Sequence, residues 1–224
     1  MKKYFFAILM CCPLYCAAQS EWEAPNAHKT TQSTQQKQDN SDKDNNPPKE
    51  LKDAKYLQEG IVPEVDSKVV FSHDIEMNGM TSAEIYDIVY ASLDSLANDE
   101  NQIQSGIALV NKKEHIIAAK YSEWLTFQKS FLSVDRTKFN YTIVAHCSDG
   151  KLHMTLERIS YDYEKQRSSG FHTTAENWIT DAKAVNKKHT KLAIGPAKFR
   201  RKTIDRVEDI FAYIGRKFKE NKNN

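Results

Sequence analysis

The chain has 224 residues, of which 32 are basic and 30 acidic, a formal net charge of +2, and only seven glycines. Near-neutrality excludes the basic excess with which a nonspecific nucleic-acid binder displaces counterions from phosphates. The shortage of glycine leaves little material for loops that cradle phosphate groups.

The chain opens MKKYFFAILMCCPLYCAAQS: two lysines, an apolar run from Tyr4 to Tyr15, then the small residues Cys16, Ala17 and Ala18. That order is the pattern of an export signal, and the apolar run is too short to span a bilayer. We read residues 1–18 as a signal peptide cleaved after Ala18, which places the protein in the periplasm or cell envelope, or outside the cell. The competing reading is a lipoprotein signal with an acylated cysteine. It lacks the small residues expected before such a cysteine, because Met10 precedes Cys11 and Cys12, and Leu14 and Tyr15 precede Cys16. Cleavage removes two lysines and no acid, leaving 30 basic against 30 acidic residues. It also removes Cys11, Cys12 and Cys16, so Cys147 alone remains and no internal disulfide can form.

Residues 19–55 are Gln, Asn, Asp, Lys, Ser and Thr with almost no apolar side chains. Such a stretch cannot bury enough surface to offset its ordering entropy, so it reads as a disordered tether. A single domain is expected over 56–219, ahead of a short disordered tail at 220–224. Val69 to Met77 reads as a strand. Thr81 and Glu84 then form a capping-box pattern, with Met80 and Ile85 as a staple, at the head of a helix carrying Ile85, Ile88, Val89 and Leu96. Strands follow around Ile103 to Val110 and from His115 to Phe127. The hairpin after them is set by Asp149-Gly150, a two-residue turn that suits strand twist. It places Ser148 opposite Lys151, Cys147 opposite Leu152 and His146 opposite His153. Tyr141, Ile143, Ala145 and Cys147 then share a core face with Leu152, Met154 and Leu156, while Asn140, Thr142, His146, His153, Thr155 and Glu157 share the wet one.

Thr173 and Glu176 repeat the capping-box pattern and predict a helix to about Lys187. Gly195-Pro196 starts the last helix, whose stripe is Phe199, Ile204, Val207, Phe211, Ile214 and Phe218. Arg201 with Asp205, and Arg206 with Asp205 or Asp209, are expected to pair along its solvated side. The fold class is therefore α+β, with about five antiparallel strands in the order β-α-β-β-β-β-α-α and helices packed on one face.

Two phrases carry a family resemblance: KYLQEGIVPEVDSKVVFSHDIEM, and AENWITDAKAVNKKHTKLAIGPAKFRRKTIDRVEDIF. Over roughly residues 56–214 the chain resembles the Bacteroidetes family of exported proteins known as domain of unknown function 4468. The resemblance implies a TATA-box-binding-protein-like fold, a curved antiparallel sheet with helices on one side, and a bacterial envelope address. It implies no activity and carries over no site residues.

Four sets of residues are candidates for function. His146 and His153, opposed across two strands, can approach closely enough to share zinc or copper, with Glu157 or another outer-face carboxylate as a third ligand; the alternative is a polar pair on a wet face. Cys147 can be a nucleophile or an inert buried thiol, and His146 points to the other side of the strand. Trp124, Phe127, Tyr161, Tyr163 and Trp178 can line a groove or fill the core. Between Lys183 and Lys202 there are eight cations and no acid; Lys187, Lys188, Lys191, Lys198, Arg200, Arg201 and Lys202 make the candidate binding surface. Its expected partners are an envelope protein, anionic lipid or an acidic glycan. Nucleic acid, a cofactor and a transmembrane segment in the mature chain are not expected. No G-x-S-x-G or H-E-x-x-H motif is present. The expected function is a noncatalytic envelope interaction domain, with a metal protein or metal-dependent enzyme centred on His146 and His153 as the alternative.

Overall fold

Asp149 and Gly150 form the turn that organises the sheet, with a positive φ of 73° at Gly150 alone, the second central position where a type II turn favours glycine. In this computed structural model, which describes residues 53–222, the expected register is met: Ser148 faces Lys151, Cys147 faces Leu152 and His146 faces His153. The expected signal peptide, and the tether apart from residues 53–55, lie outside the described residues, as do residues 223 and 224 of the expected tail.

A 3-10 turn at Ala54–Leu57 and a miniature hairpin, β1 (Glu64–Val65) with β2 (Lys68–Val69), lead into β3 (Phe71–Glu76). Helix α1 (Ser82–Ala97) follows, then β4 (Gly106–Asn111), β5 (Ile116–Lys129), β6 (Val134–Ser148), β7 (Lys151–Tyr163) and β8 (Phe171–Thr174). Two one-turn helices, α2 (Ala175–Trp178) and α3 (Asp181–Ala184), precede the long α4 (Ala197–Lys222), which runs into the expected tail. The sheet is antiparallel in the order β3-β7-β6-β5-β4, and β8 adds to β7 beyond β3. It has six strands rather than about five. The single helix expected from Thr173 is instead β8 followed by α2 and α3. Glu176 does not close a capping box there, because its carboxylate accepts from the Val69 amide at 3.1 Å.

α1 begins as its sequence demands. Thr81 accepts from the Glu84 amide, and the Glu84 carboxylate accepts from the Thr81 amide at 2.8 Å. The Asp149 carboxylate, from the hairpin turn, takes the neighbouring Ser82 amide at 2.7 Å. Ile85, Val89, Leu93 and Leu96 are buried on the sheet. The predicted stripe of α4 is buried beside them, from Phe199 to Phe218, with Ile210 added. Each such side chain contributes about 1.5–3 kcal/mol on burial. Both helices lie on the face made by Ile117, Phe139, Tyr141, Ile143, Leu152 and Met154.

A carboxylate sits inside that core. Glu123 is 1% exposed and its carboxylate takes two bonds from Arg206 of α4, at 2.8 and 2.6 Å. The Tyr141 hydroxyl at 3.1 Å and the Gln102 side-chain amide at 2.8 Å complete its shell. The pairs expected along α4 do not form: Arg206 goes to Glu123, Arg201 to Asp53, and Asp205 to Lys55 and Tyr56. Partners across the fold win because desolvation by packing strengthens each bond, whereas pairs along an exposed helix face are worth only tenths of a kcal/mol.

Candidate functional site

Five consecutive helical residues span more than one turn, so the cluster KFRRK cannot present all its charge to one side. Arg200 falls on the buried arc between Thr203 and Ile204 and is 0% exposed. Its guanidinium donates to the Tyr56 carbonyl at 2.8 Å, the Ile179 carbonyl at 2.7 Å and Asp181 at 2.6 Å. It bolts α4 to α3 and to the incoming segment and belongs to no binding surface. Arg201 is bidentate to Asp53 at 2.7 Å. Lys198 meets Asp135 at 2.8 Å and the Tyr163 hydroxyl at 2.9 Å, above the rings of Tyr163 and Phe127. The predicted surface therefore loses Lys198, Arg200 and Arg201 to structural roles, while Lys187, Lys188, Lys191 and Lys202 remain exposed.

His146 and His153 are brought together as the register requires, with ring centroids 6.3 Å apart. The His153 Nδ1 is already engaged with Asp74 of β3 at 2.8 Å, and Lys151 stands 3.4 Å from the same oxygen. The bond to His153 holds the Asp74 carboxyl below its ordinary range. Glu157, the expected third ligand, faces Thr142 and pairs with Arg158. Among the described residues no group of three or more His, Cys, Asp or Glu side chains is placed to hold a metal ion. The pair is one rung of a polar ladder. Asp74 was not legible beforehand, since only the β3–β7 register puts it opposite His153.

Burial pushes the Cys147 thiol up to about 12, so it is an inert core group. Phe127, Tyr161, Tyr163 and Trp178 pack around Phe199 in the core. Trp124 departs from that group: it lies on the uncovered sheet face, with the Arg136 guanidinium 3.8 Å from its ring.

A groove of about 1130 Å³ is bounded by β3, the start of α1 and the end of α4. Its apolar lining comes from Ile75, Met77, Ile88, Phe211 and Phe218, and it is rimmed by Glu76, Glu84 and Asp87 on one side and Arg216 and Lys219 on the other. Gly215 keeps it open. A Cβ there would already stand 3.9 Å from Ile75 Cδ1, and glycine inside a helix is otherwise unfavourable by about 1 kcal/mol against alanine. Along this groove β3 is an edge strand. Since the Met77 amide donates to Gly150 at 2.7 Å, ladder alternation turns the backbone groups of Ser72, Asp74 and Glu76 away from β7 and outward. No sequence motif marks this site, because three separate elements build it.

The family described as a domain of unknown function (DUF4468) with TBP-like fold matches residues 71–162. A crystal structure of a DUF4468 family protein from Bacteroides ovatus superposes with a TM-score of 0.69 at 40% identity, covering 74% of this chain and 94% of that one. A TBP-like protein from Parabacteroides distasonis, at 19% identity and a TM-score of 0.56, covers 71% of this chain and 97% of its own, and shares the fold. No curated protein matches the sequence. No helix among the described residues is long and apolar enough to cross a membrane.

Proposed function

Because this chain belongs to the DUF4468 family of TBP-like fold, a fold that fixes no chemistry, we propose that it is an exported, noncatalytic interaction module of the cell envelope. Its occupant is an extended polypeptide segment that adds to β3 and fills the adjoining groove. The observation that carries this reading is the outward backbone of Ser72, Asp74 and Glu76 beside an apolar channel. Main-chain bonds to such an edge supply affinity and the pockets alongside supply specificity. The side chains of Ser72, Asp74 and Glu76 share the uncovered face, so a partner strand with basic residues there and apolar residues toward the helices is complementary. Self-pairing is disfavoured, since an antiparallel pair of β3 strands centred on Asp74 would oppose two carboxylates.

A synthetic peptide alternating valine and lysine is the probe. Its addition is expected to slow amide exchange at Ser72, Asp74 and Glu76. The substitution Gly215→Leu, which fills the channel, is expected to abolish that protection while leaving the fold at least as stable. Unchanged exchange at those three amides at saturating peptide, or equal protection in the leucine variant, would refute the groove as the site.

A further inference from the structure

The end of the sheet opposite the Asp149 turn carries a different kind of surface. There the β5–β6 hairpin closes through Ser130 and Ser133: the Ser130 amide donates to the Ser133 carbonyl at 2.8 Å, and the Ser133 amide donates to the Ser130 hydroxyl at 3.1 Å. The two residues held at the tip are Phe131, 100% exposed, and Leu132, 90% exposed. Tight hairpin tips ordinarily carry Asn, Asp or Gly, and neither tip residue has the positive φ that would call for them. A Phe-Leu pair at a solvated tip breaks the local rule with no gain to the fold, the mark of a surface made for something else.

The segment leading into α4 reaches the same end. Lys198, four residues beyond Ile194, is bonded to Asp135, three residues beyond Leu132. Ile194 is also 100% exposed. Around these apolar side chains the acids are already answered: Asp135 by Lys198, Asp162 by Lys165 and Glu164 by Arg167. Lys129, Lys187, Lys188 and Lys191 are exposed and have no ion-pair partner among the described residues. This end therefore combines three protruding apolar side chains with cations that have no ion-pair partner among the described residues.

The geometry points to docking of this end on an anionic phospholipid surface. Phe131, Leu132 and Ile194 enter the boundary between headgroups and acyl chains, and Lys129, Lys187, Lys188 and Lys191 lie against the headgroup phosphates. A bilayer interface supplies both halves of the complement at once, apolar depth and negative charge. An acidic glycan supplies only the charge. The surface is separate from the groove at β3, and neither depends on the other.

The test is cosedimentation of the protein, purified in the form that expressing cells hold, with vesicles of phosphatidylcholine and phosphatidylglycerol and with vesicles of phosphatidylcholine alone. Wild type is expected to sediment with the anionic vesicles and to be released as salt rises. F131S/L132S is expected to weaken binding at least about tenfold. K187Q/K188Q/K191Q is expected to weaken it by about fivefold per lysine. Melting temperatures should stay unchanged, since none of these side chains belongs to the core. Equal binding by F131S/L132S and wild type, or binding indifferent to phosphatidylglycerol, overturns the proposal. So does a wild type that ignores both vesicles yet retains a polyanionic glycan or an acidic protein through the same lysines.

Discussion

Arg200 and Lys191 stand nine residues apart in one uninterrupted basic stretch, and they do opposite things. Arg200 is buried and spends its fork on two carbonyls and Asp181. Lys191 is exposed, and among the described residues it has no ion-pair partner. The same split separates Arg206, clamped on Glu123, from Lys187 and Lys188. At Arg200 and Arg206 the planar guanidinium, which satisfies several acceptors in fixed geometry, reaches into the fold, while Arg158, Arg167 and Arg216 stay exposed, as these lysines do.

The comparison breaks most easily at its buried end. E123A or R206A strands one charge of a buried pair and is expected to cost about 3–5 kcal/mol in chemical denaturation. E123L/R206M should recover much of that loss. Recovery will be incomplete, because the Tyr141 hydroxyl and the Gln102 amide lose their acceptor. If the double variant is as unstable as the singles, shape rather than charge governs the site. R200A should cost about 3 kcal/mol, and R200K should restore little, since an ammonium cannot reproduce the fork. An R200K variant with wild-type stability would end the distinction drawn between the two cation types.

A smaller effect is expected with pH. The carboxyl of Asp162 feels burial, which pushes its pKa up, but the bonds from Lys165 and His172 bring it below the ordinary value. The bond to His153 does the same for Asp74. Folded pKa values below the unfolded ones mean that the unfolded chain takes up protons first as pH falls. The stability these groups supply is complete above about pH 4 and drains as pH drops through the folded values. D162N should flatten the acid limb of a melting-temperature profile; an unchanged limb would show that the bonds contribute nothing. The smallest effect belongs to the exposed lysines, where K187Q/K188Q/K191Q should alter stability by no more than about 0.5 kcal/mol.

The parts of the fold legible in sequence were those with local causes. Asp149-Gly150 sets a register by its own backbone chemistry, and Thr81 with Glu84 caps a helix within one turn. The stripe of α4 follows from its period. Expectations failed where a side chain's partner is distant. Glu176 looks like the second half of a capping box until Val69, 107 residues away, claims it. Arg201 looks like a partner for Asp205 until Asp53 is folded against it. Glu123 left a readable trace, a charge between Tyr121 and Leu125 on an otherwise apolar face, but nothing local says that Arg206 answers it. The groove left none, since its lining is ordinary core residues cut short by the edge of the sheet. His146 and His153 were paired correctly; Asp74, which decides what the pair can do, arrives on another strand.

The carboxylate of Asp149 has a consequence in time. It closes the first turn of α1 from within the β6–β7 hairpin, 67 residues further along the chain. Thr81 and Glu84 cap α1 from within its own first turn, whereas the Ser82 amide finds its acceptor only once the ribbon has turned. Assembly therefore has an order, hairpin before that bond, and the amide of Ser82 should gain protection no sooner during refolding than that of His153, which bonds across the hairpin. An aspartate that looks like a turn residue thereby ties the first turn of the helix to the central ribbon.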